Sequence, residues 1–444
     1  MTPQSAFMIC ATVRDGQIEI LRALLATMNK KIAHADPDKN VGLADPDNKL
    51  VPFSRFGRLH FARFTIIEAK TADEIREYGV TPRPWSPTLA FLGDCDGDRD
   101  SFLAELVEFA GPGLNTIFSF CVGYPDANSE GLLAWMKTHN IEPAANYVNW
   151  LGRTVKQVHE EEALHRRLSA YLLQIVDEVG RENTRALRQK LLSHVEMEKY
   201  AGRLTLTPPE PTPCVWKIRN LLHKIGIPLI LLFLSPLFLV IAPFFFIRLR
   251  QLERSDPELP IRPSREHIKE LSVQEDHDVS NQFNVFGDIK PGLFRLLTFK
   301  FLLLLTDYVA RHIYNRGFLT RIRTIHFARW VFMDDNRRAF FASNYDGSHE
   351  SYMDDFINKA GWGLNITFGN AVGYPTTRWL VKDGAERERQ FKYTQRRHQL
   401  PSEVWYKAYP DLTATDLARN SRIRQGVEIH PSSDAEIREW LSLI

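Results

Sequence analysis

The sequence predicts an α+β protein in which one unit of four strands and two helices occurs twice, on either side of a helical, membrane-associated insert. Three observations carry this. Gly93 to Pro125 aligns without a gap on Ser343 to Pro375, placing Asp96-Gly97 on Asp346-Gly347, Gly113-Leu114-Asn115 on Gly363-Leu364-Asn365, and Val122-Gly-Tyr-Pro125 on Val372-Gly-Tyr-Pro375. Each copy is preceded by the same tetrapeptide, His60-Phe-Ala-Arg63 and His326-Phe-Ala-Arg329, and followed at one common offset by a His and a Tyr, His139 and Tyr147 against His398 and Tyr406. Between the copies, Ile225 to Ile247 runs for 23 residues without a charge. A repeated unit of this length reads as duplication.

The totals set the frame. With 444 residues and 44% hydrophobic content the chain can fill more than one core. Lys and Arg (56) nearly balance Asp and Glu (54), so composition gives no support for a nucleic-acid binder. Four cysteines, Cys10, Cys95, Cys121 and Cys214, show no CxxC spacing, which argues against a zinc site or a disulfide framework. The start of the chain has no basic segment leading into a long apolar run, so no secretory signal is expected and the protein is placed on the cytoplasmic face of a membrane.

Ala6 to Val13 reads as a strand and Gln17 to Met28 as an amphipathic helix, with a polar loop over about Ala33 to Asn48. Leu59 to Ile67 and Thr88 to Leu92 read as strands, Asp96-Gly97 as a turn, Ser101 to Ala110 as a helix ending at Gly111, and Ala144 to Trp150 as a fourth strand. The second copy repeats the order with Gln282 to Phe286, Pro291 to about Asn315, Thr324 to Met333, Ala339 to Ala342, Ser348 to Ala360 and Val404 to Tyr409. Strand, helix, strand, strand, helix, strand is the split βαβ, or ferredoxin-like, plait. Helices cover one face of such a sheet, and the economical way to bury the other is to pack the two copies sheet to sheet as an internal pseudo-dimer. That arrangement resembles the dimeric α+β barrel superfamily, which includes chlorite dismutases and dye-decolorising peroxidases. The resemblance implies a cleft beside the sheets for haem or another hydrophobic small molecule, and a peroxidase-like oxidoreductase activity.

The expected organisation is a first repeat over 1–154, a charged helical extension over 155–204, proline-rich linkers around the apolar insert over 205–280, a second repeat over 281–427 and a terminal helix over 428–444. The extension has no counterpart in the repeat, and its apolar stripe (Leu164, Leu168, Leu172, Ile175, Val176) is expected to pack on the first plait. About 20 apolar residues cross a bilayer. A single crossing would put the two copies on opposite faces of the membrane, where they could not bury each other's sheets. The insert is therefore expected to enter and leave on one side, as a shallow hairpin or interfacial helix pair bent near Ser235-Pro236, making the protein monotopic. Phe294 to Tyr308 is apolar nearly all round and is expected to join that surface. Its neighbours Arg295, Lys300, Arg311, Arg316, Arg321 and Arg323 suit anionic headgroups or else form a solvated face. A homo-oligomer is compatible with this plan.

Gly93-Asp-Cys-Asp96-Gly97 fits the GxxDG pattern of dye-decolorising peroxidases, which implies a catalytic role for Asp96 and, by the repeat, Asp346. The competing reading is structural: the Asp ends a strand and caps the next helix while Gly takes the positive φ. A haem enzyme needs an axial ligand and a distal cation. His326, with its duplicate His60, and His312 and His349 are the candidates for the first, with Arg329 for the second and Arg63 as its duplicate. Strict alternation in HFAR puts His and Ala on one face and Phe and Arg on the other. Either the His meets a ligand or metal, or the Arg holds a carboxylate. The alternative to an enzyme is a non-catalytic module binding lipid or protein at a membrane surface.

Overall fold

A computed structural model describes residues 1–30, 41–125, 128–175, 183–259, 261–429 and 433–444. The first half of the expected Ala33–Asn48 loop (33–40), Val176 and Pro260 lie outside the described residues. The chain is mixed α and β with antiparallel sheets and one long apolar helix. The N-terminal half runs β1 (Gln4–Thr12), α1 (Ile18–Ala26), β2 (Leu59–Ile67), α2 (Ala72–Glu77), β3 (Thr88–Asp96), α3 (Arg99–Phe118), α4 (Ser129–Thr138) and β4 (Ala145–Val148). Helices α5 (Val155–Gln174), α6 (Thr184–Tyr200), α7 (Cys214–Ser255) and α8 (Arg265–Ser272) follow. The C-terminal half runs β5 (Ser280–Asp288), α9 (Leu293–His312), β6 (Ile325–Met333), β7 (Arg338–Asp346), α10 (His349–Phe368), the short hairpin β8 (Thr377–Arg378) and β9 (Lys382–Asp383), α11 (Glu388–His398) and β10 (Val404–Lys407), then α12 (Ala414–Glu428) and α13 (Asp434–Leu441).

The strands form two four-stranded sheets, β1-β3-β2-β10 and β5-β7-β6-β4. In each, the last strand comes from the other half of the chain: Tyr406 of β10 sits opposite Ala62 of β2, and Tyr147 of β4 opposite Ala328 of β6. This corrects the expectation that each half completes its own sheet. The free edges of β2 and β6 carry the same HFAR sequence, so a short strand meets the same template in either sheet and its own pattern cannot specify which one it joins.

Phe7, Phe64 and Phe91 project from one sheet into a core under α1, α3 and α4, and Phe283, Trp330 and Phe341 from the other under α9 and α10. The opposite faces meet. Met8, Ile67, Ala90 and Leu92 of the first sheet pack on Phe286, Val331, Met333 and Phe340 of the second, and Phe61 packs on Phe327. In β2 the pairing passes from Leu59 opposite Cys95 to Phe61 opposite Asp94, and in β6 from Ile325 opposite Tyr345 to Phe327 opposite Asn344. His60 and His326 are thus the extra residues of two β-bulges, which upset the strict alternation expected for HFAR. His60 now shares the inter-sheet face with Phe61 and Arg63, while Ala62 alone turns to the helices.

Two further elements differ from expectation. The extension does not pack on the first sheet through its stripe. Leu164 and Leu168 of α5, Leu191 and Val195 of α6, Ile423 of α12 and Trp440 of α13 make a small core of their own. Nor does α5 lack a counterpart: α5 and α12 both open on a capping box, at Thr154 and Thr413, and pack on each other.

The insert is not a hairpin. α7 is one helix of 42 residues with Pro228, Pro236 and Pro243 inside it, about 63 Å long at 1.5 Å per residue. A proline removes one donor and one helical bond, but in an apolar run nothing else can satisfy the remaining backbone groups, so the helix persists. It runs antiparallel along α9, with Phe245 on Phe294 (5.1 Å between centroids), Phe238 on Phe301 (6.0 Å), the Tyr308 hydroxyl donating to the Lys224 carbonyl (3.1 Å) and His223 Nδ1 bonded to His312 Nε2 (2.8 Å). At its C-terminal end Asp256, its side chain only 4% exposed, accepts from Lys290 Nζ (2.8 Å), Arg295 Nη2 (2.6 Å) and the Tyr78 hydroxyl (2.5 Å). Both ends are therefore fastened to one body. Arg295 is buried in this cluster and unavailable to headgroups, and Lys300 lies 5.6 Å over the Phe332 ring.

Candidate functional site

Asp96 ends β3 and spends both oxygens on the fold. His60 Nε2 bonds Oδ1 (2.9 Å), the Val155 amide at the start of α5 donates to Oδ2 (2.8 Å), and His60 Nδ1 bonds the Tyr409 hydroxyl (2.9 Å). Asp346 repeats the device, with His326 Nε2 at 2.6 Å and the Ala414 amide of α12 at 2.7 Å. Gly97 and Gly347 take the positive φ of the turn, +79° and +82°. The helix that follows each turn is capped two residues on, by Asp98 and by Ser348, so the aspartates cap α5 and α12 instead.

The paired arginines cross from sheet to sheet. Arg63 donates to Asn284 Oδ1 (2.8 Å), the Ser343 carbonyl (3.1 Å) and Asn344, with its guanidinium 4.7 Å from the Trp405 ring. Arg329 donates to the carbonyls of Phe7 (2.7 Å) and Gly93 (3.0 Å) and to Asp94. The two sets differ in one charge, because Asp94 stands where the other half has Asn344. Burial, and then the nearby Arg329, push the Arg63 guanidinium down to about 9, while burial pushes the Asp94 carboxyl up.

These residues do not fit haem. His326 Nε2 is occupied by Asp346, Arg329 is committed to carbonyls and Asp94, and Phe61, stacked on Trp405 at 5.4 Å and packed on Phe327, fills the space beside them. The other two candidate ligands lie elsewhere: His312 is beside α7, bonded to His223, and His349 is the buried first residue of α10, against Phe283. Among the described residues no cluster of three or more His, Cys, Asp or Glu is placed to hold a metal. The sites expected for catalysis instead lock two sheets and two helices together, with His60, Arg63, Asp96, His326, Arg329 and Asp346 all buried.

Among the described residues neither ring nitrogen of His349 has a hydrogen-bond partner, and burial, reinforced by Arg396 and Lys392, pushes it down to about 3. A folded pKa below the unfolded one means that the unfolded chain alone binds the proton between about pH 6.5 and pH 3, so stability present at pH 7 is lost as pH falls through that window. Lowering the pH from 6.5 to 4.5 is expected to remove about 2 to 3 kcal/mol through this group. His349→Phe should flatten the acid limb of a urea-midpoint profile, and an unchanged limb would remove His349 as its source.

A second site escaped the sequence reading. Between the C-terminal half of α7, the outer face of α9 and the β8–β9 hairpin lies an apolar groove of about 1080 Å³, walled by Phe245, Phe294, Leu297, Phe301, Trp379 and Val381. The hairpin is pinned to α7 by Glu253, whose carboxylate accepts from the Trp379 and Leu380 amides (both 2.9 Å) and the Thr377 hydroxyl (3.0 Å). Trp379 and Leu380 both have positive φ, +57° and +62°, a conformation that bulky residues adopt only when their surroundings impose it. The apolar tripeptide Trp379-Leu-Val381 between Arg378 and Lys382 was the available signal. No protein-family model matches this sequence, and neither the curated proteins nor the solved structures show a significant match to it.

Proposed function

We propose that this is a monotopic, non-catalytic membrane-surface protein that lays α7 and the outer face of α9 into one leaflet. The observation that carries this reading is the fastening of both ends of α7 to a single body while its apolar side chains stay open: Phe233 is 83% exposed, Leu239 76% and Leu232 69%. Soluble proteins seldom expose apolar patches of this extent. Leu293, Leu297 and Phe301 of α9 and Trp379 of the hairpin continue the same surface.

Charge supports the reading. Lys217, Arg219 and Lys224 of α7, Arg311 in the last turn of α9, and Arg316, Arg321 and Arg323 in the segment after it are all exposed, and none is in an ion pair among the described residues; the His223–His312 contact joins the ends of the two helices that carry them. Each cation near an anionic surface is worth on the order of 1 kcal/mol. We infer as well that the two halves derive from one ferredoxin-like unit, joined as an internal pseudo-dimeric barrel. The shared bulge, the matched strand registers and the reciprocal arginines support that inference.

The test is topology. Protease sites introduced at the N-terminus, in the 205–213 segment and at the C-terminus are expected to be cut from the same side of sealed vesicles. Protection of 1–213 when 256–444 is cut would mean that α7 crosses the bilayer, and would overturn the proposal.

A further inference from the structure

We propose that the groove between α7, α9 and the β8–β9 hairpin binds one acyl chain bearing an acidic headgroup, with Arg248 as the headgroup's partner. This site rests on the membrane-surface reading, because a chain would enter the groove from the leaflet.

The groove is apolar along its length and, at about 1080 Å³, is slightly larger than the usual range for small-molecule sites. Arg248 is the cation on its wall. Its only hydrogen bond among the described residues is a long one, 3.4 Å, to Gln251 Oε1. The acids nearby are already matched: Glu253 with Arg250 (3.1 Å) and the hairpin amides, Asp256 with Lys290 and Arg295, Asp383 with Arg378 (3.4 Å). An exposed guanidinium left without an acid on the wall of an apolar groove has the complementarity of a carboxylate or phosphate on a hydrocarbon chain.

The far wall gives the second, independent argument. The hairpin holds two bulky residues at positive φ, and Glu253 on α7 satisfies the amides that this conformation exposes. The result is a Trp379 side chain set against Phe246 (6.1 Å) and a Val381 side chain on the groove, both remaining exposed at 44% and 39%. Strain of this kind marks a surface shaped for contact with something outside the fold.

The experiment uses the full chain in mild detergent and follows tryptophan quenching by dibrominated stearic acid. Saturable quenching is expected, and Trp379→Phe should remove its main component even though eight of the nine tryptophans remain. Arg248→Gln should weaken binding by about tenfold, and the methyl ester of the same acid should bind the unaltered protein about as weakly. Vesicles containing dibrominated phosphatidylglycerol distinguish the source: quenching of Trp379 there, sensitive to Arg248→Gln, assigns the site to a bilayer lipid, and quenching by the free acid alone assigns it to a fatty acid. Equal affinity for acid and ester, or quenching that survives Trp379→Phe, overturns the proposal. Flotation with vesicles is read separately, so a chain that floats without Trp379-dependent quenching loses the groove site and keeps the membrane reading.

Discussion

Arg329→Leu is expected to destabilise the fold by about 3 to 5 kcal/mol, the range for breaking a buried ion pair by removing one partner. Asp94 is 3% exposed, and without Arg329 it is an uncompensated carboxylate between two sheets; the carbonyls of Phe7 and Gly93 lose their donor with it. Arg63→Leu provides the comparison. Its partners Asn284, Asn344 and the Ser343 carbonyl are all neutral, so its removal strands no charge and also relieves the cost of burying a cation that burial already disfavours. The shift in urea midpoint should therefore be clearly larger for Arg329→Leu than for Arg63→Leu, and Asp94→Asn should recover part of the Arg329→Leu loss. An equal effect of the two arginine substitutions would mean that shape, and not charge, holds the sheets together.

The same pair of arginines shows where sequence reading reached and where it stopped. The HFAR tetrapeptides lie in strands, and Gly97 and Gly347 take the turns expected of them, because local patterning fixes strand content and positive φ. The bulge at His60 and His326 was not legible: it adds a residue without altering the run of apolar side chains, and only the register against β3 and β7 reveals it. The exchange of β4 and β10 was hidden for a similar reason, since the edge each strand joins is a tertiary choice between two nearly identical templates. Helix α4 carried a visible signal in Leu132, Trp135 and Met136, and α11 a weaker one, because its buried positions include Thr394, Gln395 and His398. In the insert, the prolines suggested a bend that the continuous α7 does not make. As for the candidate site, residue type singled out Asp96, His326 and Arg329 as candidates for chemistry, and the structure places them as buried, hydrogen-bonded groups; chemistry depends on free lone pairs and open space, and neither is written in the order of residues.

Replacing Leu229, Ile230, Leu232, Phe233, Leu239 and Val240 with glutamine is expected to move the protein from the membrane fraction to the soluble one with its fold intact. These six side chains are 58 to 83% exposed, so the body loses little packing when they change. Each apolar side chain of this size contributes roughly 1.5 to 3 kcal/mol when fully taken out of water, so six together outweigh the electrostatic attraction of the basic cluster. Deleting Ile225 to Ile247 would be a poorer test. Lys224 and Arg248 stand about 36 Å apart along α7 at 1.5 Å per residue, and joining them directly would tear out either the His223–His312 contact or the Glu253 and Asp256 anchors. The substituted protein should show the circular dichroism of the parent and fail to float with vesicles of phosphatidylcholine and phosphatidylglycerol. If it floats as the parent does, the lipid contact belongs to α9 and the hairpin, whose exposed Leu293, Leu297, Phe301 and Trp379 remain, and α7 is a strap across the body instead of its membrane face.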